Sequence, residues 1–424
     1  GILKQGWYVL VNKFGIKTIP AQDKDATDII SRIHHERFDP KNIYLISGEH
    51  FSVFYPRSLG IFYQSFLDPR TALSNADWYN RQILYLKSAA YALLVFSQSN
   101  DLATTIIPIG RNTVTLVNFF APPSDTLYSI FYALSVLNGS ENLTRRYPFN
   151  GKAEKLQTIV AAQTLIIRYK ESLQKHYKKY IDEVVDRQTG LIKKNILLSS
   201  TKDSVMRQSS FYDNAILWKT MQLAQTLGII KSDQKKLDRL KQKIISTFWL
   251  EKIGRFLDDL SEDSVKNNNY SSDWLIAYST GMISPQNTSE IEYLKKCVAY
   301  IKKQKLDAPF PLRYQSDRRE YQLYPLLKFF LPQYATTAVW PNLGMEYIKL
   351  LAALYQETKA KRYLEDAQKF IKIYEQNIVK FNGYPEVYDE SGGLLSYGLY
   401  TAVARTGWVV SFEQAREMVK WTAR

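Results

Sequence analysis

The 424-residue chain is 45% hydrophobic, 23% charged and 14% aromatic, a globular composition that can bury a large core and excludes a disordered or fibrous protein. It holds no run of roughly eighteen apolar residues to cross a bilayer. Its net charge of +15 is dispersed in lysine clusters at 175–179, 235–243 and 302–305 that alternate with apolar residues, which reads as solvated helix faces and excludes a concentrated nucleic-acid patch.

In chain order, the first pattern is a short apolar stretch at 7–12 that reads as a strand. Residues 78–96 follow, with Ile83, Leu84, Leu86, Ala90, Leu93, Leu94 and Phe96 at helical spacing. The stretch 104–120 reads as strand, with Gly110-Arg111-Asn112 to turn a hairpin. After Pro122-Pro123, Ser124 or Asp125 caps a helix that runs through Leu127, Ile130, Leu134 and Val136. Helical periodicity returns at 156–180, 215–227, 237–250, 291–301, 347–354 and 363–378. Polar, glycine-containing loops separate these segments at 186–213, 251–274, 305–320 and 380–393, with no Gly/Ser-rich or Pro-rich linker to divide the chain. Helix pairs alternating with long loops fit a closed ring of helical hairpins. They fit an open solenoid less well, because solenoid repeats are shorter and more regular.

A single cysteine, Cys297, excludes an intramolecular disulfide and reads as a helix core thiol. His34, His35, His50 and His176 show no metal-ligand spacing, so no metal and no cofactor are expected. A Gly-x-x-x-x-Gly-Lys loop is absent, which disfavours phosphoryl transfer. The chain starts at Gly1 rather than Met. That tips the expected location toward the outside of the cytoplasm or the cell surface, with the cytoplasm as the alternative and surface association left open.

The strongest pointer to function is Gly383-Tyr384-Pro385-Glu386-Val387-Tyr388, followed by Arg405-Thr406-Gly407-Trp408. It sets Glu386 on an aromatic turn before a helix, where a carboxylate can be held against a sugar ring; the plain alternative is a solvated surface acid. The segment Leu198-Ser199-Ser200-Thr201-Lys202-Asp203-Ser204, with Arg207 and Tyr212-Asp213-Asn214-Ala215, resembles the third hairpin of the six-hairpin, or (α/α)6-barrel, glycosidases of the debranching and glucoamylase-like kind. Phe54-Tyr55-Pro56-Arg57-Ser58-Leu59-Gly60 resembles their first hairpin, Ala338-Val339-Trp340-Pro341-Asn342 their fifth, and the Glu386 segment their last. The resemblance implies an all-α (α/α)6 barrel with a few short strands over residues 46–424, and an N-terminal extension, 1–45, packed on it.

It also implies a glycoside hydrolase acting on an oligo- or polysaccharide. Inverting hydrolysis takes one carboxylic acid to protonate the leaving oxygen and one carboxylate to activate water, set roughly 6.5–9.5 Å apart. Carried onto this chain, Asp203 is the acid and Glu386 the base. The acid must hold its proton near neutrality, so burial or a neighbouring negative charge is expected at Asp203, with Lys202 pointing away. Asp273 and Asp213 are rivals for the acid, Asp213 doubling as a helix N-cap and Asp273 as a contact to a sugar hydroxyl. Asp258 and Asp259 are expected in a turn. Tyr55, Trp274, Trp340, Tyr388 and Trp408 are the aromatic sugar contacts, and Arg57 is the hydroxyl donor, its structural alternative a salt bridge to Asp68 or Glu49.

Ser58 stands where the family pattern commonly has Asp, so either Glu49 or Asp68 compensates or the sugar is an unusual one. No Trp precedes Asp203, and no large N-terminal β-sandwich fits in the first 50 or so residues. These departures keep open a non-catalytic carbohydrate-binding or scaffold protein on the same barrel. A prenyltransferase-like or lyase barrel would need a zinc cluster or a basic Tyr/His/Arg site, which the four histidines do not supply.

Overall fold

The computed structural model describes residues 25–48, 52–68, 71, 74–110, 113–140, 152–203, 205–317, 322–325, 328, 331–398 and 400–424. The expected strand at 7–12, the turn residues Arg111 and Asn112, and Glu49 and His50 lie outside them.

Helix α1 (Ala26–Arg37) starts at Asp25, whose carboxylate accepts the amides of Thr27 and Asp28. A short α2 (Ser58–Ile61) leads to α3 (Asn75–Ser97), capped by Ser74. The hairpin expected at 104–120 forms as β1 (Thr105–Pro108) and β2 (Val114–Val117), antiparallel with Thr105 opposite Val117. Helix α4 (Thr126–Leu137) follows. Asp125 holds its N-cap position without capping it, because its carboxylate is committed elsewhere.

The single helix expected at 156–180 is two, α5 (Lys152–Arg168) and α6 (Lys170–Val184). Next comes α7 (Phe211–Thr226). Ser210, not Asp213, is its N-cap: Ser210 Oγ accepts the Asp213 amide at 3.0 Å and donates to Asp213 Oδ2 at 2.6 Å. The chain continues through α8 (Gln234–Phe248), the short pair β3 (Trp249–Leu250) and β4 (Arg255–Phe256), and α9 (Glu262–Asn267). A 3-10 turn, Ser272–Leu275, runs into α10 (Ile276–Ser279). Helices α11 (Ile291–Lys303), α12 (Pro341–Thr358) and α13 (Lys361–Phe381), the pair β5 (Ser396–Tyr397) and β6 (Tyr400–Thr401), and α14 (Val409–Thr422) complete the described elements. Pro341 opens α12 because a first helical residue needs no amide donor.

Burial separates an inner ring from an outer one. Helices α4 and α7 are buried on nearly all sides. By contrast α8 buries one stripe, Leu237, Leu240, Ile244, Ile245 and Phe248, and shows lysines to solvent. The inner elements pack in succession: α2 on α4, α4 on α7, α7 on α10, the 3-10 turn on α12, and α12 on α14. Phe62 closes the ring by stacking on Trp408 at the start of α14, centroids 4.0 Å apart, and Ser65 donates to Gln414 at 2.6 Å. Helices α3, α8 and α13 back α4, α7 and α12 from outside, and α1 packs beside α13. Gly60 permits the close approach of α2 to α4, since a Cβ there would sit 2.6 Å from Ser129 Cα. Among the described residues no helix is long and apolar enough to cross a membrane.

Candidate active site

Each segment singled out in the sequence ends at the N-terminus of an inner element, so the segments meet at one end of the ring. There they wall a cavity of about 240 Å3. Tyr55, Arg57 and Ser58 come from the loop into α2, Thr201 and Asp203 from the loop before α7, Tyr334 and Trp340 from the approach to α12, and Trp408 from the start of α14.

Asp203 is held from two sides. Its Oδ2 accepts Arg57 Nη1 at 2.8 Å and its Oδ1 accepts the Ser200 amide at 2.8 Å. Its side chain is 31% exposed, so of the burial or neighbouring negative charge expected for the acid only the second is found, in Asp125 on the same guanidinium. Arg57 does not pair with Asp68. Its Nη1 also donates to the Ser200 carbonyl at 2.6 Å, and its Nε lies 3.2 Å from Oδ1 of Asp125. Burial opposes the guanidinium charge, but Asp125 and Asp203 outweigh it and raise the Arg57 pKa. Asp125 is fully buried; burial pushes it up to about 6 against the pull of Arg57, with Asp203 and Asp213 adding to the rise.

A second charged group lies beside the first. Arg207 Nη1 donates to Asp273 at 2.7 Å and to Asp258 at 3.2 Å, while its Nη2 donates to Ser200 Oγ at 3.0 Å. Lys202 corrects the outward orientation expected of it: it is buried, donates to Ser271 Oγ at 3.1 Å and lies 3.6 Å from Asp258. Asp258, at the bend after β4, and Asp259 beside it are likewise buried; burial and the adjacent Asp258 push Asp259 up to about 6. Asp273 is fixed by Arg207 and walls a smaller cavity of about 40 Å3 that shares Phe62 and Thr201 with the larger one. That space is large enough for a water but too small for a sugar ring.

Glu386 has no exposed surface. Its amide donates to the Val403 carbonyl, its Oε1 accepts the Tyr334 hydroxyl at 2.5 Å, and its Oε2 accepts the Tyr400 hydroxyl at 2.6 Å and the Val403 amide at 3.3 Å. Burial, with the Glu386 charge beside it, pushes both phenols well above their ordinary value. Trp340 steadies Tyr334: its Nε1 donates to the Tyr334 carbonyl at 2.6 Å and the rings meet edge to face at 4.8 Å.

Two expected aromatic contacts are corrected. Trp274 is 1% exposed and donates its indole N–H to the Tyr270 hydroxyl at 3.0 Å, a core residue of the 3-10 turn. Tyr388 is fully buried against Phe310 and Phe381, its backbone paired with Val339. Neither walls the cavity. Tyr55, Arg57, Trp340 and Trp408 do, together with Phe119 and Tyr334, which sequence reasoning missed. Asp68 accepts from Gln414 and does not reach the cavity wall, so it does not replace the acid absent at Ser58. Among the described residues no group of three or more His, Cys, Asp or Glu could hold a metal ion.

No family model matches the chain, and no curated protein matches it in sequence. Among solved structures it is similar to the GH63 mannosylglycerate hydrolase of Thermus thermophilus, with a TM-score of 0.53 at 10% identity over 94% of this chain and 100% of that one. The chain is an (α/α)6 barrel. A metal-independent alpha mannosidase of Streptococcus pneumoniae gives a TM-score of 0.52 at 11% identity, over 99% of this chain and 97% of that one. The GH78 rhamnosidase of a Bacillus species gives 0.52 at 12% identity, over 92% of this chain and 34% of that one. At such identities the likeness is one of fold.

Proposed function

We propose that the protein is a glycoside hydrolase that cleaves its substrate with inversion, Asp203 serving as general acid and Glu386 as general base. One observation carries the reading: a single cavity at the loop end of the barrel has Asp203 in its wall and also Tyr334, with Glu386 bonded directly behind it. Two carboxylates in unlike settings are what divided acid and base roles require. Asp203, part-exposed, reaches a leaving oxygen in the cavity. Arg57 orients it, and because the same guanidinium lies beside Asp125, its charge is not devoted to Asp203 alone. Trp340, Trp408 and Tyr55 give the sugar ring apolar faces, and the hydroxyls of Ser58 and Thr201 give it polar contacts. Mannosides are the first substrates to try, since two of the structural neighbours are a mannosylglycerate hydrolase and an alpha mannosidase.

A non-catalytic carbohydrate-binding protein is the second reading, favoured by Ser58 in place of an acid and by the sealed position of Glu386. Hydrolysis of a panel of α- and β-linked oligosaccharides, followed by proton NMR of the first-formed anomer, decides between them. Turnover with the opposite anomer appearing first is expected. Retention would overturn the mechanism, and sugar binding without turnover would establish the second reading.

A further inference from the structure

The sealed position of Glu386 poses a chemical problem for a base. With no exposed surface and with hydrogen bonds from Tyr334, Tyr400 and the Val403 amide, it does not touch water in the cavity. Tyr334 occupies both places: it is half-buried in the cavity wall and its hydroxyl is bonded to Glu386 Oε1. A phenol hydroxyl donates and accepts at once. The Tyr400 hydroxyl is hydrogen-bonded to the same Tyr334 oxygen, so with the Tyr334 proton committed to Glu386 one lone pair is left to accept from a water.

We propose that Tyr334 is a proton relay between the attacking water and Glu386. The proposal rests on the reading of Glu386 as the base. As the water oxygen bonds to the anomeric carbon, one water proton passes to the Tyr334 oxygen while the Tyr334 proton passes to Oε1 of Glu386. The bond from the anomeric carbon to the leaving oxygen breaks, and that oxygen takes the proton of Asp203. Tyr334 ends neutral, Glu386 protonated and Asp203 ionised, and exchange with solvent restores the last two. Burial pushes the Tyr334 hydroxyl well above its ordinary value, so a free tyrosinate is disfavoured and the two transfers are concerted. Tyr400 bonds the other carboxylate oxygen and does not wall this cavity, so it is a positioning residue.

The test uses a panel of glycosyl fluorides, starting with α-D-mannosyl fluoride. Fluoride leaves without a proton from Asp203, so kcat reports the water side of the reaction. Tyr334→Phe keeps the ring and is expected to lower kcat on the order of 10²-fold with KM within about threefold. The proton inventory in mixed H2O and D2O should change from curved in the wild type, with two protons in flight, to linear. Tyr400→Phe should lose less than about tenfold and keep the curved inventory. Wild-type kcat in Tyr334→Phe while Glu386→Gln is inactive would leave Glu386 as base and overturn the relay. Equal losses in the two tyrosine variants, both with curved inventories, would reduce Tyr334 to a structural role and overturn it too. Full activity in Glu386→Gln would remove the base reading itself, and failure of the wild type to hydrolyse any fluoride would count against both.

Discussion

The wall of the cavity that carries Asp203 is built from charge, whereas the part that carries Glu386 is built from neutral aromatic donors. Around Asp203 lie Arg57 and Asp125, and beyond them Arg207, Lys202, Asp258 and Asp273, all buried and paired. Around Glu386 lie two phenols and a backbone amide, with Trp340 behind one of the phenols. Buried ion pairs fix geometry but leave protonation to the balance of several charges. Neutral donors fix a carboxylate with no counter-charge to shift when its proton arrives. The first arrangement ties Asp203 to the charges around it, whereas the second holds Glu386 by neutral donors alone.

The largest effect that tests this division is loss of turnover at the two carboxylates. Glu386→Gln keeps the shape but cannot take a proton, so hydrolysis should fall on the order of 10²–10⁴-fold while sugar binding, measured by calorimetry, stays close to wild type. Asp203→Asn should lose a similar amount on glycosides but much less on a glycosyl fluoride. Equal losses of Asp203→Asn on both substrate types would break the assignment of unlike roles.

The charged wall should also leave a mark on stability. Burial, with the Asp258 charge beside it, pushes the folded Asp259 carboxyl up to about 6 from an ordinary 3.8. Below pH 3.8 both the folded and the unfolded states hold the proton. As pH rises from there to about 6 the unfolded state releases it while the folded state keeps it, so stability falls with rising pH, and above about 6 the loss is complete. The fall is on the order of 2–3 kcal/mol. Asp259→Asn should therefore flatten part of the decline in melting temperature between pH 4 and 6. Asp125 and Asp213, both raised in the same sense by burial, contribute to the remainder. An unchanged slope would show that Asp259 is ionised in the folded protein throughout.

The barrel was legible because helical spacing is local, and so were the loop segments that meet at the cavity. Arg57, Asp203, Trp340 and Trp408 could be placed there because each precedes an inner element, and the ring brings those N-termini together. Side-chain direction was not legible. Trp274 follows Asp273 directly, yet its indole turns back to Tyr270 four residues earlier. Tyr388 lies two residues from Glu386, but extended pairing with Val339 sends its ring into the core beside Phe310. Tyr334 and Tyr400 are two of 30 tyrosines with no periodicity to mark them, and only the fold brings them to one carboxylate. Asp125 looked like a helix cap. Its partner Arg57 is distant in sequence, and no local pattern shows that the carboxylate turns toward it.

The smallest predicted effect separates binding from chemistry at the cavity mouth. Phe119 is 45% exposed, follows β2 closely, and meets Phe120 and Tyr324 edge to face with centroids 5.0 and 5.2 Å away. Trp408, in the same wall, is 5% exposed and stacked on Phe62, so truncating it would loosen ring closure as well as the site. Phe119 carries no such burden. Because nearly half its surface already faces solvent, Phe119→Ala should leave the melting temperature within about 1 °C of wild type. On the proposed reading it removes an apolar platform at the exposed edge of the cavity for the part of the substrate beyond the bond being cut, a contact worth about 1 kcal/mol. KM for an oligosaccharide should therefore rise on the order of three- to tenfold with kcat unchanged, because such a contact is made equally in the ground and transition states. A glycosyl fluoride has no residue beyond the cleaved bond, and its KM should not move. A fall in kcat instead, on both substrates alike, would place Phe119 with the reacting groups and erase the distinction between the mouth of the cavity and its two carboxylates.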